Sequence, residues 1–332
     1  MTLINFFYSL LEFFVIVIPI LISVAYLTLL ERKILGYSQL RKGPNIVGFY
    51  GILQPLADGV KLFSKEVVIP SHANIILFFL APIIALTMGF IPWFIYPWGG
   101  FKFGMSLNHE YSILLVLAIL SLSIFAILLS GWSSNSKYAF LGSIRAVAQM
   151  ISYEVSLTLI LMGIILISGS LNLSSIFFIQ SFIGWLFIPI WPFASLYIIS
   201  ILAETNRAPF DLSEGESELV SGYNVEYSSM SFALFFLAEY SHIIFSSFIF
   251  CIIFWGGNIW NQNYKLITSF IDIIILCLKG TFICFFFIWV RTSFPRLRYD
   301  QVMGLCWKKI LPLSISFLWL INNTLWVFNI II

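Results

Sequence analysis

Eight long apolar stretches dominate the sequence and limit what it can fold into. Each has about 20 residues or more, the length at which an α-helix crosses the hydrocarbon core of a bilayer. Hydrophobic residues make up 60% of the chain and charged residues 10%, which excludes an ordinary soluble domain. Spanning segments must satisfy their own backbone hydrogen bonds, and alternation of period two is absent, so we predict helices. The stretches cover 6–30, 73–96, 111–132, 146–168, 177–203, 228–254, 267–290 and 309–331.

These stretches leave no polar segment long enough for a soluble domain. We therefore predict an all-α integral membrane protein in which residues 1–332 form a single transmembrane domain with eight transmembrane helices. The longest polar connection, 31–72, has a helical pattern of its own after Pro55, with apolar residues on one face and polar ones on the other. This pattern predicts an amphipathic helix in the membrane interface, although a simple surface anchor fits it equally well. The apolar face holds Leu56, Val60 and Phe63, and the polar face holds Asp58, Lys61 and Lys65.

The basic residues predict the orientation in the membrane. Of the 17 Lys and Arg residues, fourteen lie in alternate connections, which must share one side of the bilayer. Only Lys102 and Lys265 lie in the opposite connections, and Lys279 falls within a stretch. By the positive-inside rule the fourteen face inwards, and eight spans then place both termini outside. The fourteen are Arg32, Lys33, Arg41, Lys42, Lys61, Lys65, Lys137, Arg145, Arg207, Arg291, Arg296, Arg298, Lys308 and Lys309.

Several chemistries lack the residues that they need. The four cysteines are scattered, without the C-x-x-C pair of zinc and iron–sulfur sites, and no nucleotide-binding loop is present. Of the three histidines only His242 falls within an apolar stretch, where a hydrogen-bonded core residue is the ordinary interpretation. We therefore expect no cofactor or metal on this chain, so any electron carriers belong to other subunits.

An acidic run joins the fifth and sixth stretches. Between Leu202 and Tyr227 the chain places six of its 15 acidic residues, with Arg207 as the only basic one. Carboxylates this close repel one another, so some remain protonated near neutral pH and can take up and release protons. A solvated surface loop is the alternative interpretation. The six are Glu204, Asp211, Glu214, Glu216, Glu218 and Glu226.

Further charged residues lie inside the apolar stretches. Each costs about 2.5–3.5 kcal/mol to insert, so an intramembrane charge is a functional candidate by default. Structural ion pairs between helices are the alternative, but the carboxylates of this set exceed what its one lysine can pair. This surplus favours a proton relay, and we expect Lys279 to pair with a carboxylate on another helix. The charges are Glu154, Glu239, Asp272 and Lys279 within stretches, with Glu31 and Glu204 at stretch ends.

Four segments carry a family resemblance. They are ERKILGYSQLRKGPNIVG, GWSSNSKYAFLGSIRAVAQMISYEVS, LAETNRAPFDLSEGESELVSGYNVEY and IWVRTSFPRLRYDQ. These segments are similar to membrane subunits of the proton-pumping NADH:ubiquinone oxidoreductase, respiratory complex I. The resemblance implies the membrane side of a quinone chamber, beneath peripheral-arm subunits that hold the last iron–sulfur cluster. It implies ubiquinone as substrate, FMN and iron–sulfur clusters on partner subunits, contacts with adjacent membrane-arm subunits and lipids, and no nucleic acid.

The resemblance also assigns residues to roles. It implies that ubiquinone reduction shifts the protonation of Glu204 and its acidic neighbours, and that the change passes along Glu154 and Glu239. The implied quinone chamber and its access path comprise Arg32, Arg41, Asp58, Arg207, Phe232 and Arg291. The implied proton-coupling residues are Glu31, Glu154, Glu204, Glu214, Glu216, Glu218, Glu239 and Lys279.

Three other functions are compatible with parts of the pattern. The first is the membrane subunit of a related proton-pumping hydrogenase, against which the long match at the acidic run argues. The second is a stand-alone proton-coupled transporter, which inverted repeats would favour; we find none by inspection. The third is a structural anchor, which the surplus intramembrane acids disfavour. The 35 phenylalanines are typical of an AT-rich organellar genome, so we expect the mitochondrial inner membrane, with a bacterial plasma membrane as the alternative.

Overall fold

The computed structural model describes residues 2–97, 109–212, 222–257 and 267–327, without the side chains of 2–10, 183 and 267–272. All regular secondary structure in these ranges is helical, as predicted. The α-helices are α1 (Thr2–Ser38), α2 (Gln54–Ser64), α3 (Ile75–Ile95), α4 (Ser112–Ser133), α5 (Lys137–Ser168), α6 (Leu173–Ile183), α7 (Trp191–Glu204), α8 (Ser229–Phe254), α9 (Ile267–Ser293), α10 (Tyr299–Leu305) and α11 (Leu311–Val327). A π-helical turn, Cys306–Ile310, joins α10 to α11.

Seven helical segments within the described ranges are long and apolar enough to cross a membrane. Their lengths, from 21 to 32 residues, match the roughly 20 residues that a bilayer requires. The chain is therefore a multi-pass helical membrane protein. The segments are Leu11–Ser38, Ile75–Ile95, Ser112–Ser133, Lys137–Ser168, Ser229–Phe254, Ile273–Ser293 and Tyr299–Val327.

The fifth predicted stretch, 177–203, is not one helix. It divides into α6 and α7 because Gly184 follows α6 with a φ of 92° and Pro192 occupies the first turn of α7. A proline has no N–H to continue a preceding helix but fits a first turn, so α7 starts afresh. With 14 residues, α7 is only about 21 Å long, shorter than a bilayer core. The count of eight spans therefore stays a prediction.

Helix α1 continues beyond its predicted end. It reaches Ser38, so Glu31 lies two turns inside the helix and does not end it as we expected. The chain then turns back, with Leu40 at a φ of 58° and the Arg41 N–H donating to the Gly36 carbonyl oxygen at 2.8 Å. The returning loop passes so close to α1 that a Cβ at Gly43 would lie 2.9 Å from the Lys33 Cα. This contact holds the basic loop against α1.

Helix α2 occupies the position predicted for the amphipathic helix. It begins with Pro55 in its first turn and packs beside α1 and α8. Ser229 attaches its C-terminal end, because the Ser229 hydroxyl donates to the Leu62 and Lys65 carbonyl oxygens at 3.1 and 2.6 Å. Its apolar residues Leu56, Val60 and Phe63 are all exposed. Whether this face meets lipid stays a prediction.

Helix α8 forms the centre of the packing. It contacts α1, α2, α3, α6, α7 and α9, and 72% of its most apolar window is buried. Small residues allow close approach, as is usual between membrane helices. A Cβ at Gly89 of α3 would lie 2.6 Å from the Ser241 hydroxyl and 3.3 Å from the Ala238 Cα. Because α8 is central, the polar side chains that it carries face several other helices at once.

Candidate functional site

Glu31 is the centre of a buried charged cluster. Its side chain is only 5% exposed, and helices α1, α8 and α9 surround it. Arg207 approaches from the acidic run, with its Nη1 2.7 Å from Oε1 of Glu31. Arg291, in the last turn of α9, also contacts Oε1, and the Tyr240 hydroxyl of α8 donates to Oε2 at 2.6 Å. We call these four residues the Glu31 cluster.

The Glu31 cluster carries more positive than negative charge. Two guanidinium groups face one carboxylate, which leaves one positive charge in a largely buried place. Burial opposes the charge on Arg207, but Tyr240 and Glu31 raise the pKa of its guanidinium above the ordinary value. The same guanidinium lies over the Tyr240 ring, 4.4 Å from its centroid, in a cation–π contact. The cluster is therefore suited to a ligand that is anionic or gains negative charge.

The loop that carries Arg207 is fixed from three sides. The buried Gln149 side chain of α5 donates to the carbonyl oxygens of Ala203 and Phe210 at 2.8 and 2.9 Å. The Arg207 N–H donates to the Leu202 carbonyl oxygen at 3.1 Å. Asp211 is 5% exposed and pairs with Arg296, at 3.2 Å between Oδ2 and Nη2. Glu214, Glu216 and Glu218 lie outside the described residues, so their predicted role stays a prediction.

A second polar pair joins α1 to α2. Nη1 of Arg32 lies 2.6 Å from Oδ2 of Asp58, and the Gln54 amide donates to Oδ1 of Asp58 at 3.1 Å. The two side chains are 53% and 34% exposed, so the pair is much wetter than the Glu31 cluster. Arg41 is exposed at the start of the loop that connects α1 to α2. Phe232 is half-buried on α8 and packs against Phe236, with ring centroids 4.4 Å apart.

A cavity of about 90 Å³ lies on the other side of α8. Most of its lining is apolar and comes from α4, α5, α7 and α8. Its polar lining includes Glu204 at the end of α7, Glu239 and His242 on α8, and Tyr223 and Asn206 from the connection. The Tyr223 hydroxyl donates to Glu239 Oε1. Such a volume has room for several water molecules. We call it the acidic cavity.

Charges link the acidic cavity to its surroundings. Glu154, half-buried on α5, is close enough to Glu204 for their charges to repel one another. Glu239 is likewise close enough to act on Arg207 of the Glu31 cluster. Glu239 and Tyr240 are adjacent on α8, so this helix presents one residue to each polar region. The structure thus brings Glu154, Glu204 and Glu239 together as one group.

Among the described side chains, Lys279 does not have the carboxylate partner that we expected. Its Nζ donates to the carbonyl oxygens of Trp255 and Gly257 at 2.9 and 2.8 Å and lies 5.0 Å from the Trp185 ring centroid. The structure does not describe the side chain of Asp272. Among the side chains that it does describe, no carboxylate forms an ion pair with Lys279. The physical reason is that α8 ends there, and unpaired C-terminal carbonyls attract a cation.

Sequence reasoning missed three contributors. Tyr240, Tyr223 and Gln149 were not among the candidates, because an uncharged side chain is less conspicuous in a sequence than a buried charge. One signal was available for Tyr240, which directly follows an intramembrane glutamate. A buried tyrosine hydroxyl needs a hydrogen-bond partner, so a tyrosine beside a buried acid indicates a polar contact nearby.

Comparisons with known proteins identify the family. A family model described as NADH dehydrogenase matches residues 11–322. NADH-ubiquinone oxidoreductase chain 1 of Metridium senile is 55% identical over 96% of this chain and 94% of that protein. The proteins of the same description from Chondrus crispus and Tamias sibiricus are both 51% identical, covering 96% and 92% of this chain and 97% and 93% of their own lengths.

The chain belongs to the family of NADH-ubiquinone oxidoreductase chain 1. The resemblance inferred from four sequence segments is therefore confirmed, as is the assignment to a subunit of an oxidoreductase complex. The matched residues 11–322 contain every described member of the Glu31 cluster and of the acidic cavity lining. Both polar regions thus lie within the part of the chain that the family shares.

Proposed function

We propose that this chain forms the membrane side of the ubiquinone chamber in its oxidoreductase complex and couples quinone reduction to proton translocation. The observation that carries the proposal is the Glu31 cluster, in which two arginines share one buried carboxylate. A quinone that is being reduced gains negative charge before it gains protons. A buried site with surplus positive charge stabilises that charge more strongly than an exposed one, because water screens it less.

The access path for the quinone runs along the first loop. Ubiquinone has a long apolar tail, so it reaches the protein through the bilayer. Helix α2 offers an exposed apolar face beside α1, and the Arg32–Asp58 pair joins these two helices. Arg41 lies in the turn that follows α1, and Phe232 is half-buried on α8. An apolar tail can rest on the exposed face while the polar headgroup moves inwards.

The coupling step passes through α8. Negative charge on the quinone competes with Glu31 for Arg207 and Arg291. Because Glu239 acts on Arg207, a change in the arginine's partner changes the energy of the charged Glu239. Glu239 then exchanges protons with Glu204 and Glu154 through the acidic cavity. We include Glu214, Glu216 and Glu218 of the acidic run among the coupling residues.

The remaining parts of the proposal concern the assembly. FMN and iron–sulfur clusters belong to partner subunits, and this chain contacts peripheral-arm and adjacent membrane-arm subunits. We place it in the mitochondrial inner membrane, with eight crossings in which α6 and α7 together make the fifth. Both termini face away from the acidic run, in accord with the asymmetry of basic residues.

The test uses the assembled complex with Arg207→Met in this chain. Methionine keeps much of the apolar length but removes the charge. We expect quinone-linked NADH oxidation to fall by roughly a hundredfold, since charge stabilisation at a reaction centre is typically worth that much. NADH oxidation by an artificial acceptor that takes electrons before the quinone should be unchanged. Lys137→Met, at an exposed lysine, is the control. Normal quinone-linked turnover in an assembled Arg207→Met complex would refute the proposal.

A further inference from the structure

His242 shares the acidic cavity with two glutamates. It lies three residues after Glu239 on α8, so the two side chains lie on the same side of the helix, and both line the cavity. Glu204 lines the same cavity from the end of α7. Within the described part of the chain, His242 makes no hydrogen bond to protein. The ordinary interpretation of a buried histidine, a hydrogen-bonded core residue, therefore does not account for it.

A second observation indicates that the cavity is hydrated. Asn206 lines it, and the amide oxygen Oδ1 of Asn206 is buried without a hydrogen-bond partner among the described residues. A buried acceptor without a partner is unfavourable, and internal water is the usual remedy where there is room. At about 90 Å³ the cavity has that room. Water here would contact both Asn206 and the carboxylates.

The titratable groups around His242 come from three places. Helix α8 supplies Glu239, α7 supplies Glu204 and Tyr197, and the 222–224 turn supplies Tyr223. The described residues that line the cavity from α3, α4, α5 and α6 include no charged side chain. His242 is thus the only basic group of that lining, facing two acids and two phenols.

We propose that His242 carries protons between Glu239 and Glu204 through water in the acidic cavity. The proposal rests on the proposed coupling function and adds a residue to it. A proton leaves the Glu239 carboxyl group and reaches one ring nitrogen through water, while the other ring nitrogen releases its proton towards the Glu204 carboxylate. Glu239 ends ionised, Glu204 ends protonated, and the imidazole is neutral in its other tautomer. No electron or co-reactant is needed.

The decisive experiment is chemical rescue of His242→Ala in the assembled complex. The alanine variant enlarges the cavity by the volume of the lost ring. We expect a loss of roughly tenfold or more in proton-coupled quinone turnover, as is typical when a proton-transfer group is removed. Added imidazole should restore turnover in a concentration-dependent manner. Pyrazole, which has the same shape but is much less basic, should not. Equal rescue by both, no rescue by either, or no initial loss would overturn the proposal.

A second variant tests the proposal if the complex does not assemble with His242→Ala. His242→Asn keeps a polar side chain but cannot bind a proton. We expect it to slow turnover, because the amide cannot take up a proton on one nitrogen while it releases one from another. An unchanged rate would overturn the proposal. Ser241→Ala is the control, since Ser241 faces Gly89 on the same turn and should keep the wild-type rate.

Glu239→Gln separates this inference from the proposed function. If Glu239→Gln abolishes pumping while the His242 variants behave as wild type, only the histidine's role is refuted. If Glu239→Gln also pumps normally, the proposed coupling path itself is refuted.

Discussion

Glu31 and Arg207 form a buried ion pair across 176 residues of sequence, with 2.7 Å between Oε1 and Nη1. The pair connects α1, which carries the basic first loop, to the acidic run after α7. Arg291 joins it from 260 residues away. Three segments that resemble the family in sequence therefore converge on a single carboxylate. A substitution in one of these segments should therefore alter the contacts that the other two make.

Removing Glu31 alone should cost more stability than removing Glu31 and Arg207 together. Glu31→Gln leaves two arginines without their counter-charge, and breaking a buried pair from one side typically costs about 3–5 kcal/mol. We expect the double variant Glu31→Gln/Arg207→Gln to recover part of the thermal stability that the single variant loses. Thermal inactivation of the assembled complex measures both. Strictly additive losses would contradict a direct interaction between the two residues.

Tyr240→Phe should weaken the Glu31 cluster without dismantling it. The substitution removes the hydroxyl that donates to Glu31 but keeps the ring beneath Arg207. The loss of one hydrogen bond to a charged group costs about 1.5–3 kcal/mol. We expect quinone-linked kcat/KM to fall by roughly tenfold or more, since each 1.36 kcal/mol of barrier is tenfold in rate. Tyr227→Phe, which loses only a hydrogen bond with Ser133, is the control. Equal effects of both variants would point to a general packing defect.

Lys279→Met should act on stability rather than on coupling. Lys279 binds two carbonyl oxygens at the end of α8, and it is not among the described residues that line the acidic cavity. We expect a loss of about 2 kcal/mol in the stability of the complex, from two hydrogen bonds to a charged donor. The number of protons pumped per NADH should be unchanged. Lys308→Met, at an exposed lysine, is the matched control for charge. A lower pumping ratio in a stable Lys279→Met complex would return this residue to the proton path.

Asp58→Asn should affect access of the quinone more than stability. The Arg32–Asp58 pair is exposed, and such pairs contribute only about 0–1 kcal/mol. If the pair guides the quinone past α2, its loss should raise the apparent KM for long-tailed quinones more than for short-tailed ones. Arg41→Ala should behave in the same way. Glu66→Gln, at an exposed acid just after α2, is the control. A KM that is unchanged for every tail length would remove this loop from the access path.

Glu204→Gln should impair quinone reduction and proton pumping together. Glu204 lines the acidic cavity and interacts with Glu154, so neutralising it should interrupt the proposed proton path. NADH oxidation by an artificial acceptor should survive, because that reaction ends before the quinone. Glu226→Gln, in the same acidic run but outside the cavity lining, should have a much smaller effect. A normal pumping ratio in an assembled Glu204→Gln complex would show that protons take another route.

The sequence by itself determined the helical membrane fold, the family and most of the charged residues of the site. Hydropathy and charge are local properties, and a glutamate within an apolar stretch is conspicuous without knowledge of its neighbours. Seven of the eight apolar stretches correspond to long helices for this reason. The four family segments likewise needed only the order of residues along the chain.

Only the tertiary structure decided how these residues are paired. It placed Arg207 and Arg291 on the same oxygen of Glu31, gave Lys279 two backbone carbonyls in place of a carboxylate, and divided the fifth stretch at Gly184. Each of these outcomes depends on which helix faces which, and the packing around α8 sets that arrangement across the whole chain. Hydropathy measures whether a segment enters the membrane, but a partner for a buried charge is chosen by distance in three dimensions.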